Sequence, residues 1–210
     1  MKTPHGLITI LKKQHLIAVL LEDYNTEVEY TVTQHSAFYR FTFPGGENSN
    51  LLITLLQNSE YKVLNNNVID GFSTYPGIAL PERKFYFHAE FSKPFKIAGS
   101  RSNTAITPGN KEKIGNNTGF YATWATSNSE QVQVKVGFSY ISIEQARVNL
   151  EKEISDWDFD RVKNNGRKVW NDALSRVQIQ GGSESQRTVF YTSVYRVLGR
   201  KTTNLTEDNQ

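Results

Sequence analysis

An alternation of polar and apolar residues with a period of two runs through the chain from about residue 16 to residue 140. It is clearest in residues 27–33, 84–91 and 131–138, where every second residue is apolar. A strand with one buried face requires this pattern. Further strand candidates, punctuated by turn signals rich in Gly, Pro and Asn, lie at residues 37–43, 51–56, 67–72 and 119–126. Because no helical pattern intervenes, the sequence predicts an antiparallel β-sandwich of at least seven strands.

Residues 99–119 interrupt the alternation. They are mostly polar and contain four Gly and one Pro. Such a segment inside a strand-rich region is typical of a long loop or of the tip of an extended hairpin.

The hydrophobic period changes to that of a helix after residue 142. Ser142 and Gln145 have the spacing of a capping box, and apolar residues then recur at helical spacing over residues 143–154. A second helix is predicted over residues 158–174. The next segment, residues 177–180, is predicted to be a short strand or an extended linker.

A third helix is predicted over residues 184–198. Ser183 and Gln186 repeat the capping-box spacing, and Gly199 stands where a helix often ends. Apolar residues nearly encircle this helix, so it is expected to pack against other helices. These patterns divide the chain into three parts. They are a sandwich domain at residues 1–140, a helical linker at 141–182 and a further helical unit from 183 to 210.

The composition argues against several classes of protein. Lys and Arg number 24 against 21 Asp and Glu, and the net charge of +3 is too small for a phosphate-binding surface, so no nucleic-acid partner is expected. No apolar run approaches the roughly 20 residues of a membrane-spanning helix, and the N-terminus has no signal-peptide pattern. The absence of cysteine excludes disulfides, thiolate metal sites and Cys-dependent catalysis.

The histidines give no sign of a metal or catalytic site. No two of the four share the spacing of a metal-binding pair on a helix; they are His5, His15, His35 and His88. His88 lies on the polar face of a predicted strand, where it is expected to face solvent or a neighbouring strand. The sequence also lacks a nucleophile elbow, a phosphate-binding loop and a dinucleotide glycine fingerprint.

Asp156, Asp158 and Asp160 alternate like the acids that open an EF-hand calcium loop. Arg161 and Arg167, however, occupy the positions that need Gly and Glu. These acids are instead predicted to cap the second helix and to interact with the positive end of its dipole. We predict no catalytic residue and no metal ligand in this chain.

Aromatic side chains could stack on the apolar face of a sugar. Trp124 is in phase with the apolar positions of its strand, and Trp170 lies on the apolar side of its helix, so both are predicted to be core residues. Tyr75 precedes Pro76-Gly77 in a predicted turn and is expected to be exposed. Tyr75 is therefore the candidate substrate-binding residue.

The order of several segments resembles glycoside hydrolase family 92. In the sandwich region these segments are EYTVT at 29–33, YRFTFP at 39–44 and FYFHAEFSKPF at 85–95. VKVGFSYIS at 134–142 resembles the passage from the last strand to a linker helix. WNDALSR at 170–176 and FYTSVYR at 190–196 resemble the end of the linker and the first helix of the catalytic domain. The resemblance extends from about Glu27 to Asn209.

This resemblance implies a fold and an activity. Members are exo-acting α-mannosidases, largely bacterial, built from a β-sandwich of the supersandwich type and an (α/α)6 barrel. They hydrolyse mannose-containing glycans with inversion, using two carboxylates and a calcium ion that binds sugar hydroxyls. The resemblance also implies a periplasmic or extracellular location. It places the carboxylates and the calcium ligands in the barrel, so no position of this chain matches them.

The sequence alone leaves three functions open. The resemblance favours the N-terminal part of an α-mannosidase, with residues 183–210 as the start of a truncated catalytic domain. The chain is then expected to be inactive by itself and to bind no calcium. The alternatives are a carbohydrate-binding sandwich without catalytic activity and a structural or adhesion module of a larger surface protein. The carbohydrate-binding alternative explains the strands and the aromatic residues but not the three C-terminal helices.

Overall fold

The structure is a computed structural model that describes residues 8–13, 16–75, 82–102 and 105–199. Over these ranges it has thirteen strands, all paired antiparallel with their neighbours, followed by three helices. The predicted mainly-β fold with C-terminal helices is therefore confirmed. Pro76 and Gly77, His5 and His15, and the tail from residue 200 to 210 lie outside the described residues.

The strands have a mean length typical of globular proteins. In chain order they are β1 (Ile8–Lys13), β2 (Leu16–Leu21), β3 (Thr26–Val32), β4 (Ser36–Phe43), β5 (Gly46–Thr54), β6 (Gln57–Asn65), β7 (Val68–Tyr75), β8 (Arg83–Phe91), β9 (Ile97–Ser102), β10 (Ala105–Pro108), β11 (Glu112–Gly115), β12 (Thr118–Thr126) and β13 (Glu130–Ser139).

Two sheets of unequal width form the sandwich. The long sheet has nine strands in the order β1-β2-β3-β4-β13-β8-β7-β6-β11, and the short sheet has four in the order β10-β9-β12-β5. The inner faces of the two sheets enclose a core rich in aromatic residues. Its buried members include Phe43, Tyr61, Ile69, Phe87, Phe91, Phe120, Trp124 and Val132. The prediction that Trp124 is a core residue is confirmed.

Three helices follow the last strand: α1 (Ile143–Glu153), α2 (Phe159–Leu174) and α3 (Glu184–Gly199). Their bounds agree with the prediction to within one residue at each end. The Ser142 side chain accepts a hydrogen bond from the Gln145 N–H, and the Asp158 side chain accepts one from the Arg161 N–H. The capping roles predicted for Ser142 and Asp158 are therefore confirmed. None of the described helices has the length and hydropathy of a membrane span.

A second, smaller apolar cluster lies on the outer face of the long sheet. It joins Phe38 of β4 to Leu150, Ile154, Phe159 and Val162 of the helical region. This cluster places α1 and the start of α2 against the sandwich. These helices thus cover part of the outer face, which the sequence pattern alone predicted to be exposed to solvent.

The prediction of a loop or hairpin tip over residues 99–119 is wrong in its extent. β9 and β10 form a hairpin there, and β11 pairs with β6 at the edge of the long sheet. All four residues of β10 are exposed. Edge strands of this kind need few apolar residues, so the alternation that reveals central strands is absent. Residues 177–180 form an extended linker without strand pairing, which was one of the two predicted options.

Candidate functional site at the sheet–helix interface

Tyr75, the predicted substrate-binding residue, is the last residue of β7, and 57% of its surface is exposed. Two further aromatic residues of the same strand pair, Phe72 and Tyr86, have ring centroids 6.2 Å apart. The Lys84 Nζ lies 3.4 Å from the centroid of the Phe72 ring. The exposure of Tyr75 agrees with the sequence expectation. Its contact with a sugar stays a prediction.

The polar residues that the fold brings together lie elsewhere, on the outer face of the long sheet. His88 on β8 is directly opposite Asp70 on β7, and its Nδ1 is 2.5 Å from the Asp70 Oδ1. Both residues are buried. The expectation that His88 faces a neighbouring strand is confirmed, and the alternative that it faces solvent is wrong, because α1 packs against β8 and covers this face.

Two carboxylates hold the His88 ring in its charged form. The His88 Nε2 lies 3.4 Å from the Glu90 Oε1, so both ring nitrogens face an acidic side chain. Burial by itself lowers the pKa of His88, but the hydrogen bonds to Asp70 and Glu90 outweigh it and raise this pKa to about 9. His88 is therefore an imidazolium near neutral pH.

A lysine from the next strand completes the charge balance of Glu90. The Lys135 Nζ on β13 lies 3.0 Å from the Glu90 Oε2 and also donates to the Ile154 carbonyl at 3.4 Å. It lies 4.4 Å from the centroid of the Trp157 ring. The hydrogen bond from His88, followed by that from Lys135, lowers the pKa of Glu90 to about 2 despite its partial burial.

An arginine of α1 connects these charges to the helix. The Arg147 Nη2 lies 3.5 Å from the Asp70 Oδ2, and its Nη1 lies 3.7 Å from Glu144 on the same helix. We call the five residues Asp70, His88, Glu90, Lys135 and Arg147 the ionic network. It joins three adjacent strands of the long sheet to α1 through alternating positive and negative side chains.

The backbone of β13 allows α1 to approach closely beside the ionic network. Gly137 has no side chain here, and a Cβ at this position would lie 2.1 Å from the Ala146 carbonyl oxygen and 2.8 Å from the Leu150 Cβ. Asn149 is buried on the same helix face, and its amide donates to the Phe138 carbonyl at 2.9 Å. Glycine at position 137 is therefore needed for this helix–sheet distance.

The C-terminal end of α1 is fixed to the turn between β3 and β4. The Glu153 carboxylate lies 2.8 Å from the His35 Nδ1, and it accepts hydrogen bonds from the His35 N–H at 2.9 Å and the Thr33 hydroxyl at 2.5 Å. Burial opposes ionisation, but these hydrogen bonds lower the pKa of Glu153. Glu153 thus contributes a second polar attachment of α1.

The start of α2 has its own attachment to the sheet. Arg40 on β4 pairs with Glu29 on β3 at 2.6 Å and with Asp160 on α2 at 3.1 Å. Its guanidinium carbon lies 4.3 Å from the centroid of the Phe159 ring. Asp160 therefore contacts the sandwich in addition to lying in the first turn of the helix, as the sequence predicted.

The chemistry of this interface is structural. A general acid of a glycosidase must carry a proton at the working pH, whereas Glu90 and Glu153 are held ionised. No three His, Asp or Glu side chains converge to hold a metal ion among the residues that the structure describes.

Sequence reasoning did not single out Asp70, Glu90, Lys135 or Arg147. A polar residue on the outward face of a strand reads as solvated unless the pairing of the strands is known. The available signal was weak: Lys135 and Glu90 occupy the polar phase of strands that are otherwise strongly apolar. Their partners become visible once β13, β8 and β7 are known to be adjacent.

Two family models match the chain in succession. Residues 15–139 match the glycosyl hydrolase family 92 N-terminal domain, and residues 145–210 match the glycosyl hydrolase family 92 catalytic domain. The boundary between the two matches lies at the step from β13 to α1. The first match covers more than half of the chain, which therefore belongs to glycosyl hydrolase family 92.

Individual relatives agree with this assignment. An uncharacterized secreted glycosidase of Arthroderma benhamiae is 28% identical over 200 residues, which cover 81% of this chain and 26% of that protein. The family GH92 alpha-mannosidase BT3965 from Bacteroides thetaiotaomicron is 26% identical with a TM-score of 0.82, covering 90% of this chain and 28% of that one.

A more distant structure shares the fold. The family GH92 inverting mannosidase BT2199 from the same bacterium superposes with a TM-score of 0.85 at 22% identity, covering 92% of this chain and 27% of its own. The chain thus spans about a quarter of the length of the relatives that it matches.

Proposed function

We propose that this chain is the N-terminal part of an inverting, calcium-dependent exo-α-mannosidase that acts on mannose-containing glycans. The match of residues 145–210 to the catalytic-domain model carries this proposal, because it follows closely on the match of residues 15–139 to the N-terminal domain. A structural neighbour at 26% identity is named an alpha-mannosidase. The sandwich, in this proposal, is the base on which the catalytic domain is built.

The proposed reaction needs groups that the described residues of this chain do not bring together. Inversion requires a carboxylic acid that protonates the leaving oxygen and a carboxylate about 6.5–9.5 Å away that activates water. We propose that both carboxylates and the calcium ligands lie in the part of the polypeptide outside these 210 residues. The role of the present chain is then to position that part through α1 and α2.

The domain organisation belongs to the same proposal. A sandwich at residues 1–140, a linker at 141–182 and the beginning of the catalytic domain at 183–210 fit the change from sheet to helix after β13. The linker contains the ionic network's Arg147 and the Glu153 attachment. Movement of the catalytic domain relative to the sandwich is then limited by contacts that this chain itself makes.

Location and substrate contact are further parts of the proposal. We propose action outside the cell or in the periplasm, and the description of the relative from Arthroderma benhamiae as secreted supports the first of these locations. Tyr75 is proposed to contact the glycan, since it is exposed at the end of β7. A tyrosine ring can stack on the apolar face of a sugar while its hydroxyl remains hydrated.

The activity test compares the 210-residue chain with the longer polypeptide encoded by the same gene. With an aryl α-mannoside as substrate, the longer protein is expected to release the aryl group in calcium and to lose this activity in a chelator. The first sugar product, followed by NMR, is expected to be β-mannose. The 210-residue chain is expected to be inactive with or without calcium.

Two results contradict the proposal. Calcium-dependent hydrolysis by the 210-residue chain would place a catalytic site within the sandwich or the linker. Release of α-mannose by the longer protein would replace inversion with retention.

A variant tests the proposed role of Tyr75. In the longer protein Tyr75→Ala is expected to raise KM for a mannose oligosaccharide more than it raises KM for the aryl mannoside. Equal changes in KM for the two substrates would show that Tyr75 does not contact the glycan.

A further inference from the structure

Part of the inner face of the long sheet has no cover among the described residues. Val28 and Tyr30 on β3 are only half-buried, and Val32 is 52% exposed, although all three point to the same side as the core residues of β4 and β13. None of the three belongs to the core between the sheets. The short sheet therefore ends before it reaches β3. The side chains of Val28, Tyr30 and Val32 form an apolar surface beside it, which we call the apolar floor together with the neighbouring inner face of β4.

Two cavities follow this boundary. One, of about 340 Å³, is lined by Tyr39 and Phe41 of β4 and by Leu51–Leu55 of β5. The other, of about 700 Å³, continues past Phe41 and Leu52 to Tyr24. Together they form a groove between the edge of β5 and the apolar floor.

β5 is the strand at this end of the short sheet, and it pairs only with β12 within the described part of the chain. The Leu55 N–H donates to the Thr118 carbonyl at 2.8 Å. In an antiparallel ladder the direction of these groups alternates, so Leu52 and Thr54 direct their N–H and C=O groups away from β12. The groove is thus bordered by backbone groups that are available for strand pairing.

The opposite edge of the short sheet is protected. β10 has four residues, and the hydrogen bond from the Gly109 N–H to the Ala98 carbonyl at 2.8 Å places Ile106 and Pro108 in the outward-facing phase. Pro108 has no N–H to offer there, and short edge strands with proline resist further pairing. β5, with nine residues and no proline, lacks this protection.

We propose that the free edge of β5 is a docking site for an extended strand of the same, longer polypeptide, from outside residues 1–210. This inference rests on the proposed function in so far as it takes the chain as part of a longer protein. The relatives are about four times as long as the matched segment, so chain of this kind is available in the family. The strand pairs with Leu52 and Thr54 and places every second, apolar side chain on the floor of β3 and β4.

A second copy of the chain does not fit the same edge. Antiparallel pairing of β5 with the β5 of another molecule makes one continuous sheet, with both long sheets on the same side of it. The part of each long sheet from β1 to β3 extends beyond β5 and would occupy the space of the partner's long sheet. The uncovered floor of β3 and β4 is about two strands wide, or about 10 Å at 4.8 Å per strand, which suits an added strand rather than a second sandwich.

Hydrogen exchange of individual amides tests this proposal. The 210-residue chain is compared with the longer polypeptide expressed from the same gene, and the amides of Leu52 and Thr54 are followed. They are expected to exchange at least about 100-fold more slowly in the longer protein, because a new strand gives them hydrogen-bond partners. Equal exchange rates in the two proteins would overturn the proposal.

A proline variant and its matched control make the test specific. Leu52→Pro removes an outward N–H without removing a bond to β12, and Ile106→Pro does the same at the protected edge. In the longer protein Leu52→Pro is expected to lower the melting midpoint by about 4 °C more than Ile106→Pro does. In the 210-residue chain the two variants are expected to have equal effects. If Leu52→Pro prevents folding, Thr54→Pro takes its place.

Other outcomes separate this inference from the proposed function. A longer protein without mannosidase activity but with protected Leu52 and Thr54 amides would refute the function and support the docking strand. An active protein in which both amides exchange freely would support the function and refute the docking strand. A dimer of the 210-residue chain that protects these amides would assign the edge to a second copy and overturn the proposal.

Discussion

The helices α1 and α3, of 11 and 16 residues, differ in how they pack against the sandwich. α1 buries Ala146, Asn149 and Leu150 against the long sheet, and Arg147 reaches the ionic network. α3 has no buried residue. Its closest described contact is an aromatic pair of Tyr195 with Trp170 of α2, whose ring centroids are 4.7 Å apart.

This difference does not follow from the hydrophobicity of the two helices, since α3 is the more apolar of them. α1 combines a modest apolar face with a buried Asn149 that has a specific partner, whereas α3 leaves Val189 and Val197 exposed. The predicted packing of α3 against other helices is met only in part, by the contact with α2. α1 packs on the sandwich, whereas none of the described residues of α3 is buried.

The largest effect is expected from a matched pair of truncations. Leu150→Ala on α1 removes a fully buried side chain and is expected to lower the free energy of unfolding by about 3 kcal/mol. Val189→Ala on α3, where the side chain is 64% exposed, is expected to change it by less than about 0.5 kcal/mol. Urea unfolding followed by tryptophan fluorescence measures both. Similar losses in the two variants would remove the distinction between the helices.

A smaller effect, on the order of 1 kcal/mol after allowance for solvent screening, is expected from pH. The pKa of His88 is about 9 in the folded chain and 6.5 in a model peptide, so its contribution to stability is complete below pH 6.5 and disappears as the pH rises through 9. The pKa of Glu90 is about 2 against 4.5, so its contribution is complete above pH 4.5 and disappears as the pH falls towards 2. The ionic network is thus expected to be strongest between about pH 4.5 and 6.5.

The measurement is the free energy of unfolding at several pH values between 5 and 10. His88→Asn is expected to be less stable than the wild type at pH 6, and the difference should shrink by pH 10. Lys152→Ala, at an exposed position of α1, serves as the control and should keep the wild-type profile. A constant difference between His88→Asn and the wild type over this range would show that the charge of His88 does not contribute.

The smallest effect is expected from removing α3 altogether. Deletion of residues 183–210 takes away no buried side chain among the described residues of α3, so the melting midpoint of the sandwich should change by no more than about 2 °C. Solubility should improve, because exposed apolar side chains such as Val189 and Val197 are removed. Calorimetry and light scattering measure the two quantities. Unfolding of residues 27–140 in the deletion variant would assign α3 to the sandwich core.

Much of the fold could be predicted from sequence because its signals are local. The change of period after residue 142, with the Ser142 and Asp158 caps, located α1 and α2 to within one residue. Alternation located β3, β8 and β13. The strand candidates did not include β1, β2, β6, β9, β10 or β11, and of these β10 and β11 are short edge strands that show little alternation.

The outer face of the long sheet was decided by tertiary structure alone. His88 and Lys135 occupy polar phases of their strands, and the sequence cannot tell a solvated polar face from one that a helix covers. Strand order placed Asp70, Glu90 and Lys135 around His88, and Gly137 allowed α1 to approach closely enough to bury them. Tertiary structure also decided the edge of β5. The sequence predicts a strand there, but whether its second edge is paired among the described residues depends on how many strands each sheet contains. Local periodicity therefore determined which residues form strands and helices, whereas strand order, which depends on contacts between distant residues, determined which of their faces are covered.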